Sequence, residues 1–380
     1  MKSILLTLLF IAFAFYSWGQ IHVTLNGLQG DTVYVWRYAL SNINDIYKDT
    51  VVVKDCKFIY ETSNVPSAYA VIPYNAVYKR TNGGFYVAQT KFIELFSLPN
   101  ERLDINANIG QYYTDYKITG NKVSEEMAIS REKYKTEAIQ VVKIELEMDS
   151  LKLMEVEKDQ INNLFTKRGG IFERISEIKS QYVKEYPDQD LSAYLISRFS
   201  LESFAKHYPN LNINVRDGMF KDVLNNVYSN YIKLQKTNDA EQSIIKGSSA
   251  PLFSLKDQYG KIFSLSDFKG TYIILEFWGT WCDPCIQEIP QLKSFYSEYK
   301  NKLLFISIAC YEDELNWKNT IEKHNLTWHQ LLNTEENDVS VLFGIKGFPA
   351  KIVLDKELNI VKRYIGMDKQ FYLDMEKLLN

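Results

Sequence analysis

Cysteine and histidine are scarce in this chain of 380 residues, with only four of each. A structural zinc site needs about four such ligands, grouped in closely spaced pairs. One close pair of cysteines is present, and none of the remaining cysteines or histidines forms a matching second pair. We therefore expect neither a metal site nor a bound cofactor. The residues concerned are Cys56, Cys282, Cys285, Cys310, His22, His207, His324 and His329.

The chain also lacks a strong net charge. Its 44 basic and 47 acidic residues leave a formal net charge of −3 and a pI near 6.0. Such a balance provides no basic field that would attract nucleic acid or anionic lipid. We therefore expect no nucleic-acid partner.

Only one apolar run suggests a targeting segment, and it lies at the start of the chain. Residues 4–16 are mostly apolar, Lys2 precedes them, and the small residues Ser17 and Gly19 occupy positions that a signal peptidase reads. The run is too short to cross a bilayer comfortably. We predict that residues 1–19 are a signal peptide cleaved after Gly19, with a retained N-terminal anchor as the alternative. Export would place the mature chain in the periplasm or cell envelope, where disulfides persist unless something reduces them.

Two regions precede the part of the chain that carries chemistry. Residues 20–121 contain short strand patterns separated by turns, and the alternation of Leu103, Ile105 and Ala107 is typical of a sheet with one solvated face. This pattern predicts a mainly-β, sandwich-like N-terminal domain without a catalytic constellation.

Residues 122–246 change to a composition rich in Glu, Lys, Leu, Ile and Met, which predicts an α-helical connector. Val141, Ile144 and Met148 recur at coiled-coil spacing. The pair at residues 169–170, both glycine, is predicted to interrupt the helical pattern.

From residue 247 onward, strand and helix patterns alternate. A hairpin is predicted around the turn at residues 257–260, and a buried strand at 272–275 leads into a helix at 286–299. This alternation predicts an α/β domain over residues 247–380, with a sheet covered by helices. Further strands are predicted at 303–309, 351–354 and 360–364, and further helices at 317–324, 338–343 and 369–379.

The two close cysteines, Cys282 and Cys285, lie where the buried strand gives way to the helix. The first cysteine is placed at the helix N-terminus, where unpaired N–H groups and the helix dipole favour an anionic sulfur. The second lies one turn deeper and is better shielded, and Pro284 between them suits a first helical turn. The pattern indicates thiol–disulfide exchange, with Cys282 as the attacking and more exposed thiolate and Cys285 as the resolving thiol.

Three other interpretations of this pair remain open at this point. A structural disulfide would close only a very short loop and would contribute little through chain entropy. A zinc site has no second pair of ligands. Two unpaired core thiols are at odds with the neighbouring aromatic residues and proline, which are typical of an exposed turn.

Residues 247–380 resemble the thioredoxin superfamily and, within it, the exported disulfide reductases of the TlpA/ResA type. Less specifically, the preceding regions look like the β domain and helical spacer found before such domains in exported bacterial proteins. The departure from many thioredoxins is Asp283, where those proteins have glycine. The resemblance is carried by Ala250, Pro251, Phe253, residues 264–270, residues 277–285, Glu288, Pro290, Gly347, Pro349 and Gly366.

The resemblance implies roles for further residues. Glu276 matches the buried acid that takes a proton from the second cysteine, and Glu288 matches an acid held near the pair. A solvated residue of the first helical turn is the alternative for Glu288. Pro349 matches a cis-proline that faces the cysteines and docks an extended substrate, and we assign Trp281 and Phe348 to the same substrate-binding surface.

These residues together predict an exported thiol:disulfide oxidoreductase, most simply a reductase of protein disulfides. Its expected partners are disulfide-containing envelope proteins and a membrane electron donor of thiol type. The family's link to cytochrome c maturation suggests one pathway. The alternatives are a thioredoxin-fold peroxidase and a non-enzymatic envelope binding protein. Cys310 is expected to be a small buried apolar residue, with a redox role as its alternative, and Cys56 an unpaired thiol.

Overall fold

The computed structural model describes residues 19–80, 84–153 and 158–380. The predicted signal peptide lies outside these ranges except for Gly19. The described chain divides into two compact units, and the division falls between Ser229 and Asn230. The boundaries drawn above after residues 121 and 246 remain predictions. None of the helices in the described ranges combines the length and apolar character that crossing a bilayer requires.

In the described part of the first unit, ten strands come first, as the predicted mainly-β domain requires. Two four-stranded sheets, in the orders β10-β9-β1-β4 and β3-β2-β5-β8, enclose a shared core that includes Ile21, Val33 and Ile105. The strands are β1 Gln20–Asn26, β2 Thr32–Ala39, β3 Asn42–Val52, β4 Lys57–Glu61, β5 Ser67–Pro73, β6 Val77–Lys79, β7 Phe85–Val87, β8 Ile93–Ser97, β9 Arg102–Ile109 and β10 Thr114–Thr119.

Helices follow the strands, as the composition predicts. Val141, Ile144 and Met148 pack with Ile171 in a small apolar cluster, so their spacing was interpreted correctly. The helices are α1 Lys122–Glu132, α2 Lys135–Leu153, α3 Lys158–Glu185, α4 Asp190–Ser197, α5 Leu201–His207, α6 Ile213–Arg216 and α7 Lys221–Ser243.

The predicted interruption at Gly169 and Gly170 is wrong, because α3 continues through both residues. A glycine in a helix interior costs about 1 kcal/mol relative to alanine. The adjacent Ile171 is fully buried. The burial of such a side chain is worth about 1.5–3 kcal/mol, which is comparable to the cost of about 2 kcal/mol for the two glycines together.

The second unit is an α/β fold built on one seven-stranded sheet, and the predicted thioredoxin-like fold class is confirmed. The strand order is β12-β11-β15-β14-β13-β16-β17, with β13 parallel to β14 and antiparallel to β16. The elements are β11 Ser254–Asp257, β12 Ile262–Ser264, β13 Tyr272–Trp278, α8 Asp283–Tyr299, β14 Leu303–Ala309, α9 Glu314–His324, β15 His329–Leu332, α10 Val339–Leu342, β16 Ala350–Leu354, β17 Ile360–Ile365 and α11 Lys369–Leu379.

Strand β13 is buried on both faces and separates two apolar layers. Ile273, Leu275 and Phe277 belong to one layer. Ile274 and Trp278 belong to the other, which contains apolar residues of α8, α9 and α11. Because side chains alternate along a strand, Glu276 points into this second layer between Ile274 and Trp278. The strand therefore delivers one carboxylate into an otherwise apolar layer beneath α8.

Candidate active site

The site begins at the first turn of α8. Cys282 is the N-cap of the helix, and its Sγ accepts a hydrogen bond from the backbone N–H of Cys285 at 3.3 Å. Pro284 occupies the first turn, where no intrahelical N–H is needed. The unpaired N–H groups and the helix dipole make this end of the helix a favourable place for a negatively charged sulfur.

Cys282 and Cys285 are joined by a disulfide bond, with their Cα atoms 5.2 Å apart. Cys282 is 5% exposed and Cys285 is 1% exposed, so both sulfurs are largely covered in this oxidised state. The order of exposure follows the expectation for an attacking and a resolving thiol. Which cysteine attacks remains a prediction.

Three aromatic rings lie together immediately beside the disulfide. Trp281 is 51% exposed and its ring centroid is 5.3 Å from that of the half-buried Phe348. Tyr311 is 53% exposed, with its ring centroid 6.5 Å from Trp281 and 6.0 Å from Phe348. The Phe348–Pro349 peptide bond is cis, and Pro349 is buried. An exposed aromatic surface of this kind suits contact with apolar segments of a protein substrate.

The loop between β13 and α8 is fixed by two sets of hydrogen bonds. Thr280 donates to the Glu312 carboxylate from its backbone N–H and, at 2.9 Å, from its Oγ1 hydroxyl. The indole Nε1–H of Trp281 donates to the backbone carbonyl of Cys310 at 3.0 Å. These bonds hold the residues that precede Cys282 in one orientation.

Glu276 is buried in the layer beneath α8, where its carboxylate accepts a hydrogen bond from the hydroxyl of Ser307. Trp328 donates from Nε1 to the same hydroxyl oxygen at 2.7 Å. Burial raises the pKa of Glu276 to about 7, against the opposing effects of the Lys351 ammonium and the Ser307 hydrogen bond, while Glu288 raises it further. This carboxyl group can therefore exchange a proton near neutral pH.

Glu288 is also buried, with 3% of its surface exposed. Its Oε2 accepts from the Lys351 ammonium at 2.7 Å, and its Oε1 accepts from the Tyr372 hydroxyl at 2.7 Å. The alternative of a solvated first-turn residue is therefore wrong. The acid lies one helical turn after Cys285, on the same side of α8, because residues three apart are neighbours on a helix surface.

The other two cysteines differ from the pair. Cys310 is fully buried at the end of β14, and burial raises the pKa of its thiol well above the ordinary value. Cys56 is an exposed free thiol in the first unit. Within the three described ranges, no group of three or more His, Cys, Asp or Glu side chains is arranged to hold a metal ion.

Comparisons with known proteins place the C-terminal part of the chain. Residues 246–363 match the AhpC/TSA family. The protein named thiol-disulfide oxidoreductase ResA in Bacillus thuringiensis strain Al Hakam is 31% identical over 121 residues, which are 32% of this chain and 69% of that protein. ResA of Bacillus subtilis strain 168 is 30% identical over 127 residues, covering 33% of this chain and 70% of that protein. The chain belongs to the ResA family of thiol-disulfide oxidoreductases.

A solved structure is similar to about a third of this ResA-family chain. The thioredoxin domain of a thiol-disulfide oxidoreductase from Bacteroides vulgatus is 33% identical, with a TM-score of 0.34, and covers 36% of this chain and 100% of that domain. The sequence predicted a thiol:disulfide oxidoreductase, and the two ResA relatives are thiol-disulfide oxidoreductases. The chain is therefore a thiol:disulfide oxidoreductase. The residues that match the AhpC/TSA family, 246–363, all lie in the second unit.

The structure adds three residues to the site of this ResA-family enzyme that sequence reasoning missed. Tyr311 completes the aromatic surface, Glu312 anchors the loop before α8, and Lys351 pairs with Glu288. Tyr311 and Glu312 lie just beyond the end of the predicted strand 303–309, and Lys351 is the first residue of the predicted strand 351–354; these positions were the only sequence signal. The sequence-assigned residues Cys282 and Cys285 are directly bonded, and Glu276 and Glu288 both lie close to Lys351.

Proposed function

We propose that this chain reduces disulfides in exported proteins of the cell envelope, with Cys282 and Cys285 as its redox pair. The observation that carries the proposal is the position of the pair at the N-terminus of α8, beside the exposed rings of Trp281 and Tyr311. A helix N-terminus supplies an activated sulfur. The aromatic surface supplies a place for the polypeptide that bears the disulfide.

The reaction balances as a two-electron exchange. In the reduced enzyme, the Cys282 thiolate attacks one sulfur of a substrate disulfide, forms a mixed disulfide and expels the other substrate sulfur as a thiolate. The Cys285 thiol then loses its proton to Glu276 and attacks Cys282 Sγ. The Cys282–Cys285 bond forms, and the second substrate sulfur leaves as a thiolate. The two substrate thiolates take up two protons, one of them returned by Glu276.

The oxidised enzyme has to be reduced again before the next turnover. In an exported location the electrons must come across the membrane, because disulfides persist there in the absence of a reductant. We infer a membrane protein with a reactive dithiol as the donor. Apocytochrome c is a candidate substrate, since its haem-binding cysteines must be reduced before haem attachment.

Trapping of the mixed disulfide tests the proposal. Cys285→Ser leaves the attacking thiol but removes the resolving one, so it should accumulate a covalent adduct with substrate proteins in envelope extracts. Cys282→Ser serves as the matched control and should accumulate none. Non-reducing electrophoresis followed by identification of the trapped protein would name the substrate.

Three other results would decide against the proposal or against its assignment of the two sulfurs. If Cys282→Ser traps partners and Cys285→Ser does not, the roles of the two sulfurs are reversed. If neither variant traps a protein and the double serine variant keeps full function in the cell, a binding role replaces the redox role. Consumption of peroxide by the reduced protein would instead favour a peroxidase.

A further inference from the structure

A row of buried polar side chains crosses the central sheet at one level. Lys351 on β16 lies opposite Glu276 on β13, which lies opposite Ser307 on β14, which lies opposite Gln330 on β15. Each of the four is at most 3% exposed. Cross-strand partners share a face of the sheet, so this row is continuous beneath α8. A charged lysine so deeply buried requires a charged partner.

Lys351 has that partner in Glu288. Its Nζ lies 2.7 Å from Glu288 Oε2, and each side chain is 1% exposed. The ammonium also lies 5.3 Å from the centroid of the Phe371 ring. Water does not screen a pair of this kind, so the charge on Lys351 acts strongly on its neighbours.

The two carboxylates of the cluster have different partners. Both oxygens of Glu288 are occupied, one by the Lys351 ammonium and one by the Tyr372 hydroxyl. Among the described residues, the hydrogen-bond donor to Glu276 is a neutral group, the hydroxyl of Ser307. A carboxylate with a charged and a neutral donor is held in its ionised form, whereas one with a single neutral donor in a buried site gains and loses a proton more easily.

We propose that Lys351 is a positioning residue of the redox site: it holds Glu288 as a fixed anion and tunes Glu276 as the group that exchanges a proton with Cys285. The inference rests on the proposed function, because it assumes that Cys285 must lose a proton during turnover. It gives the two acids different roles, where the sequence assigned both to catalysis. Glu276 acts as the acid and base, and Glu288 fixes the lysine.

The charged groups around Glu276 show in which direction loss of Lys351 should change the pKa of Glu276. Lys351 on β16 lowers the pKa of Glu276, whereas burial and Glu288 on α8 raise it. Tyr372 on α11 stays protonated, since burial and the Glu288 charge raise its pKa. Loss of the lysine charge should therefore move the pKa of Glu276 upward.

The test separates attack by Cys282 from resolution by Cys285. Fully reduced full-length protein is mixed with dithiobis(nitrobenzoate), and nitrothiobenzoate release is followed by stopped-flow absorbance across a range of pH. The first release reports attack by Cys282, and the second reports closure by Cys285. All proteins carry Cys56→Ser, because the exposed Cys56 thiol would also react. Lys362→Met is the matched control, since Lys362 forms a half-exposed ion pair with Asp374 outside the cluster.

In Lys351→Met, the pH below which the rate of the second phase falls should rise by about one unit. Resolution should therefore be about tenfold slower near pH 6. The first phase should change less than about twofold, since Cys282 does not lose its proton to the cluster. The pH profile of the second phase should shift less in the double variant Lys351→Met/Glu288→Gln, because the charge of Glu288 is removed as well. Resolution should then be about threefold slower than in the parent protein near pH 6. Lys362→Met should match the parent protein.

The outcomes remain distinguishable if Lys351→Met does not fold. The double variant leaves no unpaired charge in the buried site, and it still lacks the lysine that opposes proton uptake by Glu276. If two phases persist and the pH profile of the second phase in either variant coincides with that of the parent protein, Lys351 does not have the proposed role. A parent protein that releases no second nitrothiobenzoate instead overturns the proposed function itself.

Discussion

Replacement of Glu276 by glutamine should stabilise the oxidised protein at alkaline pH and leave its stability nearly unchanged at acidic pH. The carboxyl group is buried, and burial raises its pKa from 4.5 to about 7. An ionised carboxylate at this position is therefore unfavourable in the folded protein. Glutamine has nearly the same shape, can still accept from Ser307 and carries no charge at any pH.

The pH dependence follows from the number of protons bound by each state. Below pH 4.5 the carboxyl is protonated in both the folded and the unfolded protein and has no effect. Between 4.5 and about 7 the unfolded chain ionises first, so the folded state binds more protons and its stability falls as pH rises. Above about pH 7 the loss of folding stability no longer changes with pH. The difference between 4.5 and about 7 corresponds to about 3 kcal/mol.

Urea unfolding of the oxidised full-length protein measures this effect. Four of the six tryptophans, Trp278, Trp281, Trp317 and Trp328, lie in the second unit, so intrinsic fluorescence mainly reports its unfolding. The free energy of unfolding of Glu276→Gln relative to the parent should rise from near zero at about pH 4, through about 1 kcal/mol at about pH 5, to about 3 kcal/mol at about pH 9.

Glu322→Gln is the control, because Glu322 is an exposed residue of α9 and should give the same small difference at every pH. A difference between Glu276→Gln and the parent that stays flat from about pH 5 to about pH 9 would show that Glu276 does not titrate in this range. The proposed exchange of a proton with Cys285 would then lose its basis.

Two further predictions concern the surface of the site. Asp283 is exposed and directly follows Cys282 in the chain. A negative charge at a separation of about 5 Å would cost the thiolate about 0.8 kcal/mol at the dielectric of water. Asp283→Asn should therefore raise the reduction potential by about 20 mV, measured by equilibration with glutathione. A parent value above about −180 mV would contradict the assignment of the protein as a reductase. Trp281→Ala should raise KM for a small disulfide-bonded protein about tenfold with little change in kcat. A comparable rise in Leu315→Ala, at an exposed apolar residue of α9, would argue against a specific aromatic contact.

The sequence predicted the junction between β13 and α8 because the signals there are local. An apolar strand pattern, a cysteine in a capping position and a proline in the first turn depend only on neighbouring residues. β13 and α8 were both expected, although the helix begins at Asp283 instead of residue 286. The short strand β15 was missed, since its four residues, His329–Leu332, form no alternating pattern of their own.

The buried ion pair of Lys351 and Glu288 could not be predicted, because it depends on contacts between distant parts of the chain. Lys351 was read simply as the first residue of a strand. Its environment is set by the pairing of β16 with β13 and by the packing of α8, which bring in Glu276 and Glu288 from 75 and 63 residues away. Glu288 remained ambiguous for the same reason: a first-turn acid is ordinarily solvated, and only a buried cation makes its burial tolerable.

The composition of the cluster explains why a proton can remain available beside the cysteine pair. Glu276 and Glu288 would carry two negative charges, and Lys351 supplies one positive charge to balance them. In a buried layer the cost of the second, unbalanced charge is lowered when the cluster holds one proton. Lys351 contacts Glu288 directly, so that proton is placed on Glu276. Because the pKa of Glu276 is about 7, part of the population is ionised near neutral pH, and this form accepts the proton of Cys285 while the lysine–glutamate pair stays unchanged.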